Sequence, residues 1–476
     1  MLDLLLDLRS LFAFGLSAVA LVWAGGHVVL YKRDSRSATG WLALIVVLPV
    51  VGAVLYWLLG INRVVRRAEA VYRSHLPVPF PRGLATVAPS FVACDGLEHL
   101  ETLAAFGARV TGAPLSSGNL IEPLFTVDAA FDAMLAAIDG ARESITLVTY
   151  IFDHDTAGLR FLEALRHAVG RGVEVRVLID AVGDRYTSPP MHGVLAAAGV
   201  PCDVFMPTRA PRRLSQFNLR NHRKLLVVDG RHAFTGGMNI RQPHGEKIAL
   251  QDLHFAVRGP VVRALQRVFA DDWAFTTGER LDGDRWFKSL EAAGPVITRV
   301  VDDGPAENLG HLRWTLLGAL ACAQRQVLIM TPYFLPDEGL ITALNMAARR
   351  GVEVDILIPA QSNLRVVQWA TTAVLWQVLQ SGCRLWATPP PFDHSKLMVV
   401  DGAWSFIGSA NWDPRSLRLN FELNMEAYCP ALAAQLLEFG TAKRDAAQPI
   451  SLQQVDSRPL PFRLRDGLAR LFTPYL

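Results

Sequence analysis

The segment RGVEVRVLID at residues 171–180 returns as RGVEVDILIP at residues 350–359, so any fold this chain adopts must build the same unit twice. Ahead of the first copy come a β-branched run at 144–152 (SITLVTYIF) and an amphipathic stretch at 159–169. Ahead of the second come equivalents at 327–334 and 340–348. Strand, helix and strand in that order predict a parallel or mixed sheet covered by helices. Made twice, the unit predicts an α/β protein of two similar halves in a pseudo-twofold arrangement, and 476 residues are enough for two cores. The expected division is an N-terminal segment (1–73), a first half (74–295), a second half (296–448) and a C-terminal tail (449–476).

Each half carries His-x-Lys, then four residues and an Asp: His222, Lys224 and Asp229 in NHRKLLVVDG, and His394, Lys396 and Asp401 in DHSKLMVVDG. Seven residues beyond each Asp, small residues lead to an Asn, in Gly236-Gly237-Met238-Asn239 and Gly408-Ser409-Ala410-Asn411. Positions i and i+2 of a strand share a face, so His and Lys point together, and Asp-Gly after the apolar run supplies a tight turn. Two His, two Lys and two Asn converging on one point describe a phosphate site. Lys224, Lys396, Asn239, Asn411 and Ser409 are candidates to hold phosphate oxygens. One histidine can attack phosphorus while the other protonates the leaving alcohol. Lysine beside each histidine repels a divalent cation and no carboxylate cluster is offered, so neither metal nor other cofactor is expected.

Asp252, 30 residues after His222, and Glu422, 28 after His394, are each expected to accept the remote ring proton of the histidine in their own half. Asp229 and Asp401 belong to the catalytic motif by position, and the turn reading makes them structural. Tyr150 and Tyr333 end matching strands and read as core or rim residues, with cleft lining the alternative.

Residues 11–30 and 41–60 are each free of Asp, Glu, Lys and Arg, and about 20 residues of helix match a bilayer's hydrocarbon thickness. Both are expected to span a membrane as a hairpin, with His27 near one interface. Arg9, Arg63, Arg66, Arg67 and Arg73 on one side outnumber Lys32, Arg33 and Arg36 on the other, which places the body in the cytoplasm. Hydrophobic residues at 51% suit a chain partly in lipid, and a net charge of +3 is far from a nucleic-acid-binding stripe. Cys94, Cys202, Cys322, Cys383 and Cys429 lack C-x-x-C spacing, which argues against a disulfide framework or zinc site. In the tail, Phe462, Leu464, Leu468, Leu471 and Phe472 alternate with Arg463, Arg465 and Arg470. That pattern fits an amphipathic helix lying on anionic lipid or docked on the body.

The duplicated His-x-Lys pattern with its trailing Gly-(Gly/Ser)-x-Asn resembles the signature of the phospholipase D superfamily. The apolar hairpin with RNHRKLLVVDG, TPYFLPDEGL and GSANWDPRSLRLNFELN is similar to the bacterial cardiolipin synthases. The resemblance implies transfer of a phosphatidyl group from one phosphatidylglycerol to another with release of glycerol, in the inner membrane of a bacterium. Phospholipids and the membrane are the implied partners, His222 the implied nucleophile and His394 the implied acid and base. Hydrolysis of phospholipid, a membrane-tethered nuclease and an inactive scaffold are the alternatives. Two spans speak against the nuclease, and complete motifs in both halves against the scaffold.

Overall fold

The computed structural model describes residues 2–32, 34–60, 98–207, 219–242, 250–304 and 310–473. Arg33, Arg63, Arg66, Arg67, Arg73, Cys94 and the expected boundary at 73/74 fall outside the described residues. The chain divides into two compact units, Met1–Arg67 and Ala68–Leu476.

In the first unit, helix α1 (Leu2–Tyr31) includes Leu11–Tyr31, the one helix among the described residues long and apolar enough to cross a bilayer. The second expected span is divided. Helix α2 (Ser35–Val47) stops at Leu48, whose φ of −131° and ψ of 74° are not helical, and α3 (Pro49–Leu55) restarts with proline in its first turn. Proline lacks the N–H that continues a helix and disfavours helical geometry in the residue before it, which explains the break. Ala24, Val28, Ile45, Ala53 and Tyr56 form the buried seam of this unit. His27 Nδ1 lies 2.8 Å from the Tyr56 hydroxyl.

The second unit is organised by one sheet. The first half supplies β1 (Ser116–Leu124), β2 (Ser144–Thr149), β3 (Glu174–Asp180), β4 (Cys202–Phe205), β5 (Leu225–Val228), β6 (His232–Gly236), the short β7 (Leu250–Gln251) and β8 (His254–Arg258). The second half supplies β9 (Val296–Asp303), β10 (Gln326–Met330), β11 (Glu353–Pro359), β12 (Arg384–Thr388), the short β13 (Phe392–Asp393), β14 (Leu397–Val400), β15 (Trp404–Gly408), β16 (Glu422–Tyr428) and β17 (Gln448–Ile450). Fifteen of these run in the order β17-β12-β11-β10-β14-β15-β16-β9-β1-β8-β6-β5-β2-β3-β4. Read outward from the β9–β1 junction, the two sides list corresponding strands in the same order, as a duplicated unit with a twofold relation requires. The tail contributes β17, which pairs with β12 at the outer edge, so its start belongs to the second half's sheet.

Matching local chemistry builds the two halves. Every residue of β2 is buried, as expected for a strand covered on both faces. The following helices, α4 (Thr156–Gly170) and α5 (Glu338–Arg349), are capped alike. Asp155 accepts from the Gly158 N–H at 2.9 Å and Asp337 from that of Leu340 at 3.0 Å. Past their ends, Gly172 and Gly351 take φ of 86° and 90°, the left-handed turn that glycine adopts without strain.

Candidate active site

The His-x-Lys strands are central in each half: β5 lies between β2 and β6, and β14 between β10 and β15. Their short lead-ins reach across to the opposite half. The His222 N–H donates to the Phe421 carbonyl at 2.8 Å, and the His394 N–H to the Gln251 carbonyl at 2.7 Å. β13, just before His394, pairs in parallel with β7, just before Asp252. Asn221 bridges Phe421, just before Glu422.

These pairings exchange the carboxylates, which corrects the expectation of a histidine and carboxylate within each half. His222 Nδ1 meets both Glu422 oxygens at 3.0 Å, and His394 Nδ1 meets Asp252 Oδ2 at 2.7 Å. The reason is topological: the segment bearing each carboxylate is hydrogen-bonded to the other half's histidine segment. A separation of 28 or 30 residues along the chain carries no information about that long-range pairing.

Both dyads are buried. His222 is depressed to about 4, chiefly by burial, with Lys224 and Lys396 also lowering it against the opposing pull of Glu422. His394 is lowered by burial, then by Lys396, against Asp252. Lys224 is lowered to about 7 and Lys396 to about 8, burial again leading. Burial opposes the ionised forms of Glu422 and Asp252, but their histidines and the lysines hold both below the ordinary range. Both histidine shifts run toward the neutral imidazole, and a neutral ring that directs Nδ1–H to its carboxylate keeps the Nε2 lone pair available. Each lysine is felt by the histidine of the other half, so the four groups share one site. Lys224 Nζ donates to the His222 carbonyl at 2.6 Å and Lys396 Nζ to the His394 carbonyl at 2.5 Å. One N–H of three is used in each of these bonds.

The halves are not identical. Glu422 also accepts from the Ser409 hydroxyl at 2.5 Å and from Asn420 Nδ2 at 3.1 Å. Asp252 has the Leu253 N–H at 2.8 Å besides its histidine. Where the second half has Ser409 the first has Gly237, and a Cβ there would stand 2.2 Å from Asp252 Oδ1. The expectation that Ser409 binds phosphate is therefore corrected: its proton goes to Glu422 and its oxygen accepts from the Leu423 N–H at 2.9 Å. Asn239 Oδ1 accepts from the Ile151 N–H at 3.1 Å, which fixes its amide. Asn411 is buried, and its Oδ1 has no hydrogen-bond partner among the described residues.

Asp229 and Asp401 stand at the far ends of β5 and β14, five residues and roughly 16 Å from the lysines at about 3.3 Å per residue. Asp229 accepts from the N–H groups of Arg142, Glu143 and Ser144, and Asp401 from those of Gln324, Arg325 and Gln326 and from His99. Both have positive φ, 52° and 54°. They pin the turn to the start of β2 and β10, so placing them with the catalytic groups is corrected in favour of the structural reading.

The tyrosines are also corrected. Phe152 bridges Ile240 and Phe334 bridges Trp412, which aligns Tyr150 with Pro332 and Ile151 with Tyr333. The two tyrosines are thus one residue out of step, yet each ring meets a histidine edge-on, at 5.2 Å for Tyr150–His222 and 6.3 Å for Tyr333–His394. Three contributors escaped the sequence reading. Asn420, two residues before Glu422, had that spacing as its signal. His254, two residues after Asp252, is buried with neither ring nitrogen hydrogen-bonded among the described residues, and burial lowers it to about 4. Arg223, the residue between His222 and Lys224, is bound to Asp272 at 2.5 Å.

Comparison with known proteins agrees with this architecture. The sequence matches the family described as cardiolipin synthase, PLD-like domain, over residues 134–273 and 316–440, and that described as phospholipase D-nuclease N-terminal over residues 19–60. It is 31% identical to a cardiolipin synthase of Geobacillus kaustophilus over 97% of this chain and 93% of the relative. It is 30% identical to cardiolipin synthase A of Pseudomonas entomophila over 98% of each. The fold is similar to that of the phosphatidylserine synthase of Haemophilus influenzae, with TM-score 0.61 at 15% identity, covering 79% of this chain and all of that one.

Proposed function

The chain belongs to the cardiolipin synthase family of phospholipase D-like proteins, and from that premise we propose that it transfers a phosphatidyl group from one phosphatidylglycerol to a second, releasing glycerol. The observation that carries the mechanism is the crossed arrangement of two histidines, each hydrogen-bonded to the other half's carboxylate. His222 Nε2 attacks phosphorus and the bond to the head-group glycerol breaks, with His394 supplying the proton to the leaving oxygen. A hydroxyl of the second phosphatidylglycerol then gives its proton to His394 and attacks phosphorus, which frees His222. Lys224, Lys396, Asn239 and Asn411 steady the charge on the non-bridging oxygens.

The asymmetry of the dyads supports this division of roles. Glu422 is shared among His222, Ser409 and Asn420, whereas Asp252 holds His394 more closely. A carboxylate less occupied by other donors better stabilises an imidazolium, which suits His394 to acid and base work and leaves His222 as nucleophile. An anionic phosphodiester entering the cleft raises both histidines and so allows His394 to carry its proton.

The apolar α1, with α2 and α3, anchors the enzyme in the inner membrane as a hairpin. The body faces the cytoplasm, since the basic residues flanking the hairpin favour that side. Phosphatidylglycerol labelled in its head group tests the activity: labelled glycerol is expected to appear in step with cardiolipin. Equal release of glycerol and phosphatidic acid without cardiolipin would make the protein a hydrolase instead.

A further inference from the structure

Helix α7 (Leu460–Leu471), in the tail, packs on α6 (Arg365–Thr372) with its apolar stripe facing away from the protein. At 100° per residue, Leu460, Leu464, Leu468 and Leu471 fall within an arc of about 80°, and they are 65%, 58%, 60% and 67% exposed. The buried residues of this helix are Asp466 and Ala469, about 170° round the axis on the same spacing. An amphipathic helix on a soluble surface ordinarily does the opposite and buries its leucines.

The inward side is fastened by charge and stacking. Asp466 is paired with Arg458 and with Arg465, the latter at 2.7 Å. The Arg465 guanidinium also lies 4.5 Å over the Trp369 ring of α6. Ala469 joins Leu335, Val367, Ala370 and Val374 in a small core against which Tyr333 and Trp369 pack. The Tyr333 ring that packs against this core also meets His394, so the helix is connected to the second half-site through the core.

We infer that the leucine stripe of α7 inserts into the surface of a phospholipid membrane and seats the His394 half-site against the lipid it draws from. The inference rests on the phospholipid substrate proposed above. A membrane is the occupant favoured by charge. Arg463 and Arg470 lie along one edge of the stripe and are exposed, while the one acid of the helix, Asp466, is buried and neutralised by two arginines. The surface is therefore leucine with cations along one edge, the pattern that binds anionic lipid at the level of its head groups. Leu364 and Val366, at the start of α6, are exposed as well, beside Asn363, which accepts a hydrogen bond from the Tyr333 hydroxyl at 2.8 Å.

The test uses the full chain in mixed micelles, with the surface fraction of phosphatidylglycerol varied. Leu464→Ser/Leu468→Ser/Leu471→Ser is expected to raise the interfacial KM about tenfold or more, since three side chains lose apolar contact, with kcat within about twofold and the melting temperature unmoved. Leu464→Phe/Leu468→Phe/Leu471→Phe should retain the native KM. A readout independent of activity accompanies it: benzoylphenylalanine in place of Leu468 should photocrosslink labelled phosphatidylcholine in proteoliposomes, and in place of the equally exposed Met346 it should not. An unchanged interfacial KM in the serine variant, or no lipid crosslink from position 468, overturns the inference. So does conversion of a dimer to a monomer by the serine variant, because the stripe would then be a contact between copies. If the native chain makes no cardiolipin while position 468 still crosslinks lipid, the proposed function fails and the docking surface stands.

Discussion

Exchange of carboxylates between the halves predicts that Asp252→Asn disables the histidine of the second motif, although Asp252 follows the first in sequence. The substitution leaves His394 Nδ1 an amide in place of a carboxylate at 2.7 Å and removes the charge that raises that imidazole. A buried hydrogen bond to a charged group contributes about 1.5–3 kcal/mol, so the proton-transfer role of His394 should weaken by roughly ten- to 150-fold at 1.4 kcal/mol per decade. The assay compares two donors, phosphatidylglycerol and a phosphatidyl ester of p-nitrophenol, following the phosphoenzyme by rapid quench with lipid labelled at phosphorus. With Asp252→Asn, phosphoenzyme should form slowly from phosphatidylglycerol but at near-native rate from the nitrophenyl ester, whose leaving group needs no proton. Glu422→Gln should slow both donors, because it disturbs the nucleophile. The opposite pattern, with Asp252→Asn impairing both donors and Glu422→Gln sparing the nitrophenyl ester, would refute either the crossed pairing or the assignment of His222 as nucleophile.

Other outcomes follow from the same geometry. Lys224→Ala and Lys396→Ala should each lower kcat by on the order of 10²–10³, as for other preorganised charge-stabilising donors, and combining either with His222→Ala should be far from additive. Gly237→Ala sets a methyl 2.2 Å from Asp252 Oδ1, so it should reproduce the donor selectivity of Asp252→Asn in the quench assay. The pH profile of kcat/KM should rise as His222, lowered to about 4, loses its proton, and fall first as His394, lowered by burial and Lys396, loses the proton it gives the leaving oxygen, then as Lys224 and Lys396, lowered to about 7 and about 8, lose theirs; activity constant to pH 10 would contradict essential lysine charge. Turnover should survive chelators, checked by cardiolipin formation in excess EDTA, since lysines stand where other phosphotransferases place magnesium.

Local chemistry made much of this fold legible in the sequence. The repeat ending at Asp180 and Pro359 announces two βαβ units, and Asp155 and Asp337 cap the same helix in each. The Asp-Gly pairs at 229 and 401 mark the hairpins after the site strands. Long-range pairing was not legible. Nothing near Glu422 indicates that Phe421 pairs with Asn221, or that Leu250 and Gln251 pair with Phe392 and Asp393, so spacing alone pairs each carboxylate with the wrong histidine. Tyr150 and Tyr333 misled because two tyrosines near equivalent strand ends look equivalent, and the bridges from Phe152 and Phe334 set the true register. The second apolar stretch counts as a span by composition, yet Pro49 within it redirects the backbone. Ser409 looked like a phosphate ligand, since its commitment to Glu422 depends on a strand that comes 13 residues later.

The crossed dyads also govern when the enzyme can become active during its own synthesis. His222 waits for a carboxylate 200 residues further along the chain, which at 5–20 residues per second is roughly 10–40 s of translation. Until then a nascent first half has His222 without the carboxylate that orients it. On the proposed roles, phosphotransfer is expected only once the second half has folded back to close the site.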